Sequence, residues 1–303
     1  MGLPSPSLKF IIKMFKKHHL GGPILTLGNQ DIYADYNQIL KYFSQLHYRP
    51  HHIDTPKLSS SQDLIKINSQ AKNYIHASTF FESLGVKTKE YFDIDKFDFD
   101  SPKIIHDLQQ PIPKKFYNYF NFILDSGTIE HIFDIKNVMD NIVKVTKIDG
   151  FVLHLTPTQN FINHGFYQIS PTFFYDYYTQ NGFKIIESYY IETRSNCYRF
   201  FQYDQKNDYT GLFINPLNRI GSCFLVKKVK NISSLINPTQ YYYQQISQNP
   251  DSSKKDFNRS KLDKLTNIFR KFLPFKFHAY FFSLWYVLKG LVQKRKYFDL
   301  NFK

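Results

Sequence analysis

Apolar residues along this chain recur with two different periods. Short unbroken runs at Pro23–Leu27 (PILTL), Glu90–Ile94 (EYFDI), Ile104–Leu108 (IIHDL), Tyr119–Asp125 (YFNFILD) and Phe151–Leu155 (FVLHL) are too short for helices and end in polar residues or glycine. That pattern predicts buried parallel strands. Between the last two runs, Ile132, Ile135, Val138, Met139, Ile142 and Val145 fall at helical spacing, and Asp149-Gly150 supplies a turn. The unit is strand, helix, strand. Phe183–Tyr190 and Gly221–Val229 predict later strands, and Leu8–Phe15 predicts an amphipathic helix. The expected fold class is α/β: a doubly wound, Rossmann-like, mostly parallel sheet flanked by helices. The order of strands within the sheet is not readable from the runs.

In such sheets ligands collect beyond the carboxyl ends of the strands, so polar residues recurring there mark a crevice. The runs end in LGNQD (Gly28, Gln30, Asp31), DID (Asp93, Asp95), HDLQQ (Asp107), LDSGTIEH (Asp125, Glu130, His131) and TPTQNFINHGFYQ (Asn163, His164, Tyr167, Gln168). This order of strand-end signatures over residues 21–183 resembles class I S-adenosylmethionine-dependent methyltransferases. More narrowly, the NHGFYQISP block resembles a bacterial-type group associated with surface-sugar biosynthesis. The resemblance implies S-adenosylmethionine as cofactor, with Gly28 passing close to it and Gln30 or Asp31 adding polar contacts. It also implies Asp93 on the ribose hydroxyls, with Asp95 the competitor, and Asp107 beside the adenine; Asp125 completes the expected cofactor set. The family's Gly-x-Gly loop is reduced here to Gly28, and Asn121 stands where many relatives carry a strand aspartate.

Methyl transfer from a sulfonium is an in-line displacement, so a protein must align acceptor and methyl and, for a hydroxyl, remove a proton. His164 is the candidate base, since histidine titrates near neutrality. Glu130 and His131 are the other catalytic candidates, and Asn163, Tyr167 and Gln168 the candidate acceptor contacts. Each has a purely structural reading: Glu130-His131 as helix-start chemistry, His164 as a backbone-bonding loop residue, Asp93 and Asp95 as solvated turn acids, and Gly28 as a simple turn. Arg194, Tyr198 and Arg199 lie in an expected insertion, 192–216, near the acceptor side, where an arginine would suit an anionic or sugar group.

Composition then narrows the picture. The chain has 303 residues and a formal net charge of +14, of which residues 254–303 carry +10. The expected organisation is an N-terminal helix (1–20), a methyltransferase-like domain (21–230), a polar linker (231–260) and a basic, aromatic helical tail (261–303). Within the tail, 277–292 is apolar but short for a membrane span. The expected uses of the tail are peripheral contact with an anionic membrane, docking on the protein's own core or on a second subunit, or tethering of a non-catalytic adaptor that keeps the fold. RNA methylation through the basic tail is a third reading, and the sequence argues against nucleic acid as the main partner. The abundance of aromatic residues, 18% of the chain, accompanies frequent Lys, Asn and Ile and carries no site argument.

Two cysteines, Cys197 and Cys223, suggest a reducing compartment without a disulfide framework. The adjacent pairs His18-His19 and His51-His52 form no pincer, and neither HExxH nor paired CxxC occurs, so no metal is expected. A phosphate-binding GxxxxGK[ST] loop and a GxSxG elbow are also missing, which argues against triphosphatases and α/β-hydrolases. No small-residue cleavage site follows the first helix, and Pro6 stands where a myristoylation signal wants Ser or Thr. A cytoplasmic protein is expected. The function expected is transfer of a methyl group to a hydroxyl or amine of a small-molecule or glycan acceptor, such as a surface-polysaccharide precursor.

Overall fold

The computed structural model describes residues 2–60, 69–98, 101–205, 218–248 and 297–302. In chain order the strands are β1 (Gly2–Leu3), β2 (Ile24–Leu27), β3 (Asp31–Ile32), β4 (Tyr91–Asp95), β5 (Ile104–Ile105), β6 (Phe120–Ser126), β7 (Thr146–Gln159), β8 (Phe183–Thr193), β9 (Cys197–Gln202), β10 (Ile220–Lys228) and β11 (Tyr297–Asn301). The α-helices among the described residues are α1 (Ser5–His18), α2 (Tyr36–Gln45), α3 (Ala77–Ser83), α4 (Ile135–Val145), α5 (Pro171–Gln180) and α6 (Tyr241–Gln248).

Among the described residues, nine strands form one sheet in the order β11-β9-β8-β10-β7-β6-β2-β4-β5. The run from β5 to β7 is wholly parallel, whereas β10 lies antiparallel between β7 and β8. Both faces of this sheet are covered, which explains the continuous apolar runs. In β6, Phe122 and Leu124 join α1, α2 and α3 in one core, while Ile123 joins α4 and α5 in the other, as does Phe120, which lies beyond a register shift in the pairing with β7. Alternate residues of a strand point to opposite faces, so one run feeds two cores. Each such fully buried side chain contributes about 1.5–3 kcal/mol.

Local chemistry fixes the helix starts. Asp35 and Gln38 form a reciprocal capping box at α2, with the Gln38 amide donating to Asp35 Oδ1 at 2.8 Å and the Asp35 amide donating to Gln38 Oε1 at 3.0 Å. Asp134 caps α4 by accepting from the Asn137 amide at 3.1 Å. The first helix is part of the core: Leu8, Phe10, Ile11, Ile12 and Phe15 are buried, and its last turn meets Glu187 of β8 through Lys17 and His18.

Two features depart from the expected organisation. Tyr297–Asn301, expected to be helical tail, is the edge strand β11, joined to β9 by Arg199, which donates from Nε and Nη2 to Asp299 at 2.9 and 3.3 Å. Alternation in YFDLN suits a strand once a partner edge exists. Within the expected linker, Tyr241–Gln248 is helical, and the Tyr241 amide donates to Asp176 Oδ2 at 3.0 Å. The apolar stretch 277–292 lies outside the described residues. Among those described, no helix is long and apolar enough to cross a membrane.

Lys228 locks the far end of the sheet. Its buried ammonium donates to the carbonyls of Val143 and Thr146, both at 2.8 Å, and to Asn118 Oδ1 at 3.1 Å. Replacing it by methionine would orphan these acceptors and is expected to cost about 2–3 kcal/mol in denaturant unfolding. Burial also pushes the ammonium down to about 8. Because that is below the unfolded value of 10.5, the unfolded chain binds the extra proton between pH 8 and 10.5. Wild type should therefore gain stability over Lys228→Met as pH rises through this window, by up to ~1.4 kcal/mol per unit. Parallel stability curves for the two proteins would refute that assignment.

Candidate functional site

The carboxyl ends of β2, β4, β6 and β7 open onto one cleft of about 1200 Å³, floored by Gly28, Ile94, Asp95, Ser126, Gly127, Leu155 and Thr156. Gly28 leaves β2 with φ +70°, a conformation that side chains with a Cβ resist, and its amide donates to the Ile94 carbonyl at 2.8 Å. The N-terminal arm crosses this loop: β1 pairs with β3, and Gly2, Pro4 and Ser7 line the cleft.

Of the expected cofactor residues, Gly28 and Asp107 line the cleft. Asp107 accepts from the Gln109 amide at 3.0 Å and pairs with Lys96 at 3.0 Å, and these contacts, the backbone donor first, hold its carboxyl below the usual range. Asp93 does not line it. Its carboxylate is turned inward to accept the Lys103 amide at 2.9 Å, and Asp95, at the strand end, is the acid that faces the cleft. Gln30 is buried and donates to the Leu27 carbonyl at 2.8 Å, which makes it a turn-former, and Asp31 belongs to β3.

Asp125 is fully buried and organises the site instead of lining it. Oδ1 accepts the Thr128 and Ile129 amides at 3.1 and 3.3 Å, and Oδ2 meets His154 Nδ1 at 2.7 Å. His154 Nε2 lies 2.7 Å from the Tyr178 hydroxyl, whose pKa burial pushes well up, so Tyr178 keeps its proton and donates. A carboxylate only accepts; the imidazole proton facing it therefore sits on Nδ1. This chain ties the turn after β6 to β7 and α5.

That turn, a 3₁₀ segment Ile129–His131, carries Glu130 and His131 into the cleft, and the 161–168 loop brings His164 opposite them. All three catalytic candidates of the sequence thus meet. The loops are clamped: the Phe166 and Tyr167 amides donate to the Glu130 carbonyl at 2.8 and 3.2 Å, and a Cβ on Gly165 would sit 2.8 Å from that oxygen. His164 Nε2 stands 3.8 Å from Glu130 Oε1, and the His131 and His164 rings meet edge to face at 5.0 Å. Burial first, then the Asp125 charge, raises the Glu130 carboxyl to about 8. Burial and His164 lower the His131 pKa.

The expected acceptor contacts serve the loop itself. Gln168 Oε1 accepts the Phe161 amide at 2.9 Å, the Tyr167 hydroxyl donates to the Phe133 carbonyl at 2.7 Å, and Asn163 takes a left-handed φ of +60°. Arg194 is tied to Glu192 at 2.7 Å and Arg199 to Asp299, whereas Tyr198 does line the cleft. Asn121 sits at the start of β6 and donates to the Gly22 carbonyl. The sequence reading missed Arg219, which faces the cleft 5.4 Å above the Phe161 ring. It also missed the ligand-type geometry of Glu130, His131 and His164, because residues 130 and 164 are joined only by folding. The rim is apolar, with Phe97, Phe133 and Phe166 lining it and largely exposed. The cysteines Cys197 and Cys223 are buried and free.

No family model matches this chain, and no curated protein matches it. Among solved structures it is similar to the CMeT domain of the citrinin polyketide synthase, at 12% identity and TM-score 0.34, over 75% of this chain and 52% of that one. It is similar also to YcgJ from Bacillus subtilis, at 12% identity and TM-score 0.35, over 75% and 98% of the two chains. A SAM-dependent methyltransferase from Aquifex aeolicus matches at 9% identity and TM-score 0.33, over 70% and 87%. The chain spans about half the length of the first of these. Likenesses with identities this low and TM-scores below 0.5 assign no activity to the chain, and its α/β fold stands on its own strand order.

Proposed function

We propose that this protein is an S-adenosylmethionine-dependent methyltransferase acting on a hydroxyl or amine of a small molecule, with a sugar-based acceptor as the finer assignment. The observation that carries this reading is the convergence of Gly28, Asp95, Asp107 and the 126–131 turn on one cleft at the carboxyl ends of adjoining parallel strands. The residues fit the cofactor. Asp95 is placed at the strand end where an acid accepts from ribose hydroxyls, Asp107 lies beside it for the base, and Gly28 leaves room for the amino-acid end. When bound, S-adenosylmethionine supplies an electrophilic methyl on a sulfonium.

The chain's own contribution is orientation and charge control. Tyr198 and Arg219 offer polar contacts to an acceptor, the ring of Phe161 offers a face for a sugar, and the Glu130, His131 and His164 cluster stands where an acceptor heteroatom must be activated. The aromatic rim helps to keep water from this point.

Calorimetric titration of the full chain with S-adenosylhomocysteine tests the reading. Micromolar binding is expected, weakened about tenfold by Asp95→Ala, a loss of ~1.4 kcal/mol, and little changed by Asp93→Asn, which keeps an acceptor for the Lys103 amide. Well-folded wild type that produces no heat and no thermal shift would reject the cofactor and favour a non-catalytic protein of this fold.

A further inference from the structure

Glu130, His131 and His164 each offer one ligand-type atom, and these atoms lie within 4.8 Å of one another. Glu130 is fully buried, yet no other described residue donates a hydrogen bond to either of its carboxyl oxygens. A buried carboxyl in that condition is costly, and a bound ion or water is an ordinary reason to keep one. His164 Nε2, at 3.8 Å, approaches it without bonding.

We infer that Glu130, His131 and His164 form a binding site for a first-row divalent cation, at the end of the cleft where the acceptor must lie. One carboxylate and two imidazoles are the donor set of open catalytic sites of the zinc kind, whereas magnesium and calcium favour all-oxygen shells. Three protein ligands leave coordination positions free for water or an acceptor oxygen. Bond lengths of about 2.0–2.1 Å require donor atoms roughly 3.4 Å apart. Glu130 is held by its backbone bonds to Phe166 and Tyr167, so the contraction falls to the two exposed imidazoles.

The use of the cation rests on the methyltransferase reading; the site itself does not. An acceptor hydroxyl that coordinates the cation loses its proton to bulk water more readily. The oxygen lone pair then forms the new bond to the methyl carbon, while the electron pair of the broken carbon–sulfur bond stays on sulfur.

The test uses untagged full-length protein freed of metal by chelation, titrated with Co²⁺ and Zn²⁺ and followed by calorimetry and by the visible absorption of protein-bound Co²⁺. One equivalent bound at micromolar concentration is expected. Glu130→Gln and His164→Ala, each with an unchanged circular dichroism spectrum, should weaken it about tenfold or more. His164→Ala, on an exposed loop, serves even if the buried substitution unfolds the protein. Absent saturation, millimolar binding only, or equal binding by the variants would overturn the site. S-adenosylhomocysteine is titrated into the same samples. Its binding without cation binding removes the metal and keeps the methyltransferase, and cation binding alone does the reverse.

Discussion

Asp125→Ala is expected to cost about 3–5 kcal/mol of folding stability, because each buried donor left without its acceptor costs about 1–3 kcal/mol. Three donors lose their acceptor at once: the Thr128 and Ile129 amides and His154 Nδ1. His154 is fully buried, with its imidazole stacked on Phe174 at 4.4 Å, and both amides point at the same fully buried carboxylate. Asp125→Asn should cost less, about 1–2 kcal/mol. Its amide oxygen still caps the turn, and His154 can move its proton to Nε2, accept from the new amide and donate to the Tyr178 oxygen. Urea unfolding followed by circular dichroism measures both variants. If Asp125 instead contacted the cofactor, alanine would leave stability nearly intact and remove only S-adenosylhomocysteine affinity.

The same aspartate shows what a sequence conceals. The run YFNFILD identified the strand, and its end placed the cleft correctly, because a buried parallel strand needs unbroken apolar residues and a loop must follow it. Whether the terminal acid faces ligand or core depends on its neighbour in the sheet. Register sets Asp125 opposite His154 on β7, a residue that looked like an ordinary strand position in FVLHL. The choice between Asp93 and Asp95 had the same origin. They lie on one side of β4, two residues apart, and each accepts one backbone amide, Asp93 from Lys103 and Asp95 from Phe97, but the returning loop buries Asp93 whereas Asp95 lines the cleft. Local pattern gives the element, and long-range pairing gives the role.

Long separations account for the remaining surprises. Arg199 looked like an anion contact until Asp299, 100 residues away, brought β11 to its side. Glu130 and His164 were each legible as candidates, since both stand in dense polar loops after strands. Their mutual clamp was not, because it depends on a backbone carbonyl meeting two amides that no side-chain pattern encodes.

Gly28→Val is expected to abolish measurable S-adenosylhomocysteine binding, a loss of about 100-fold or more, in a protein that still folds. The left-handed φ of +70° at this position costs any residue with a Cβ about 1–2 kcal/mol, and a β-branched side chain adds to it. The loop can relieve that strain only by rotating, and rotation breaks the bond from the Gly28 amide to the Ile94 carbonyl. Ile94 directly precedes Asp95, so the cradle for the amino-acid end and the acid for the ribose are disturbed together. Gly28 is buried but lies past the end of β2, and its substitution removes no apolar side-chain contact from the core. Gly28→Ala should fall between the two, with the strain but without the added bulk. Thermal melts confirm folding, and competition calorimetry measures affinity. A valine variant that binds as tightly as wild type would show that the first loop does not hold the cofactor, and the single glycine of LGNQD would then be a turn and nothing more.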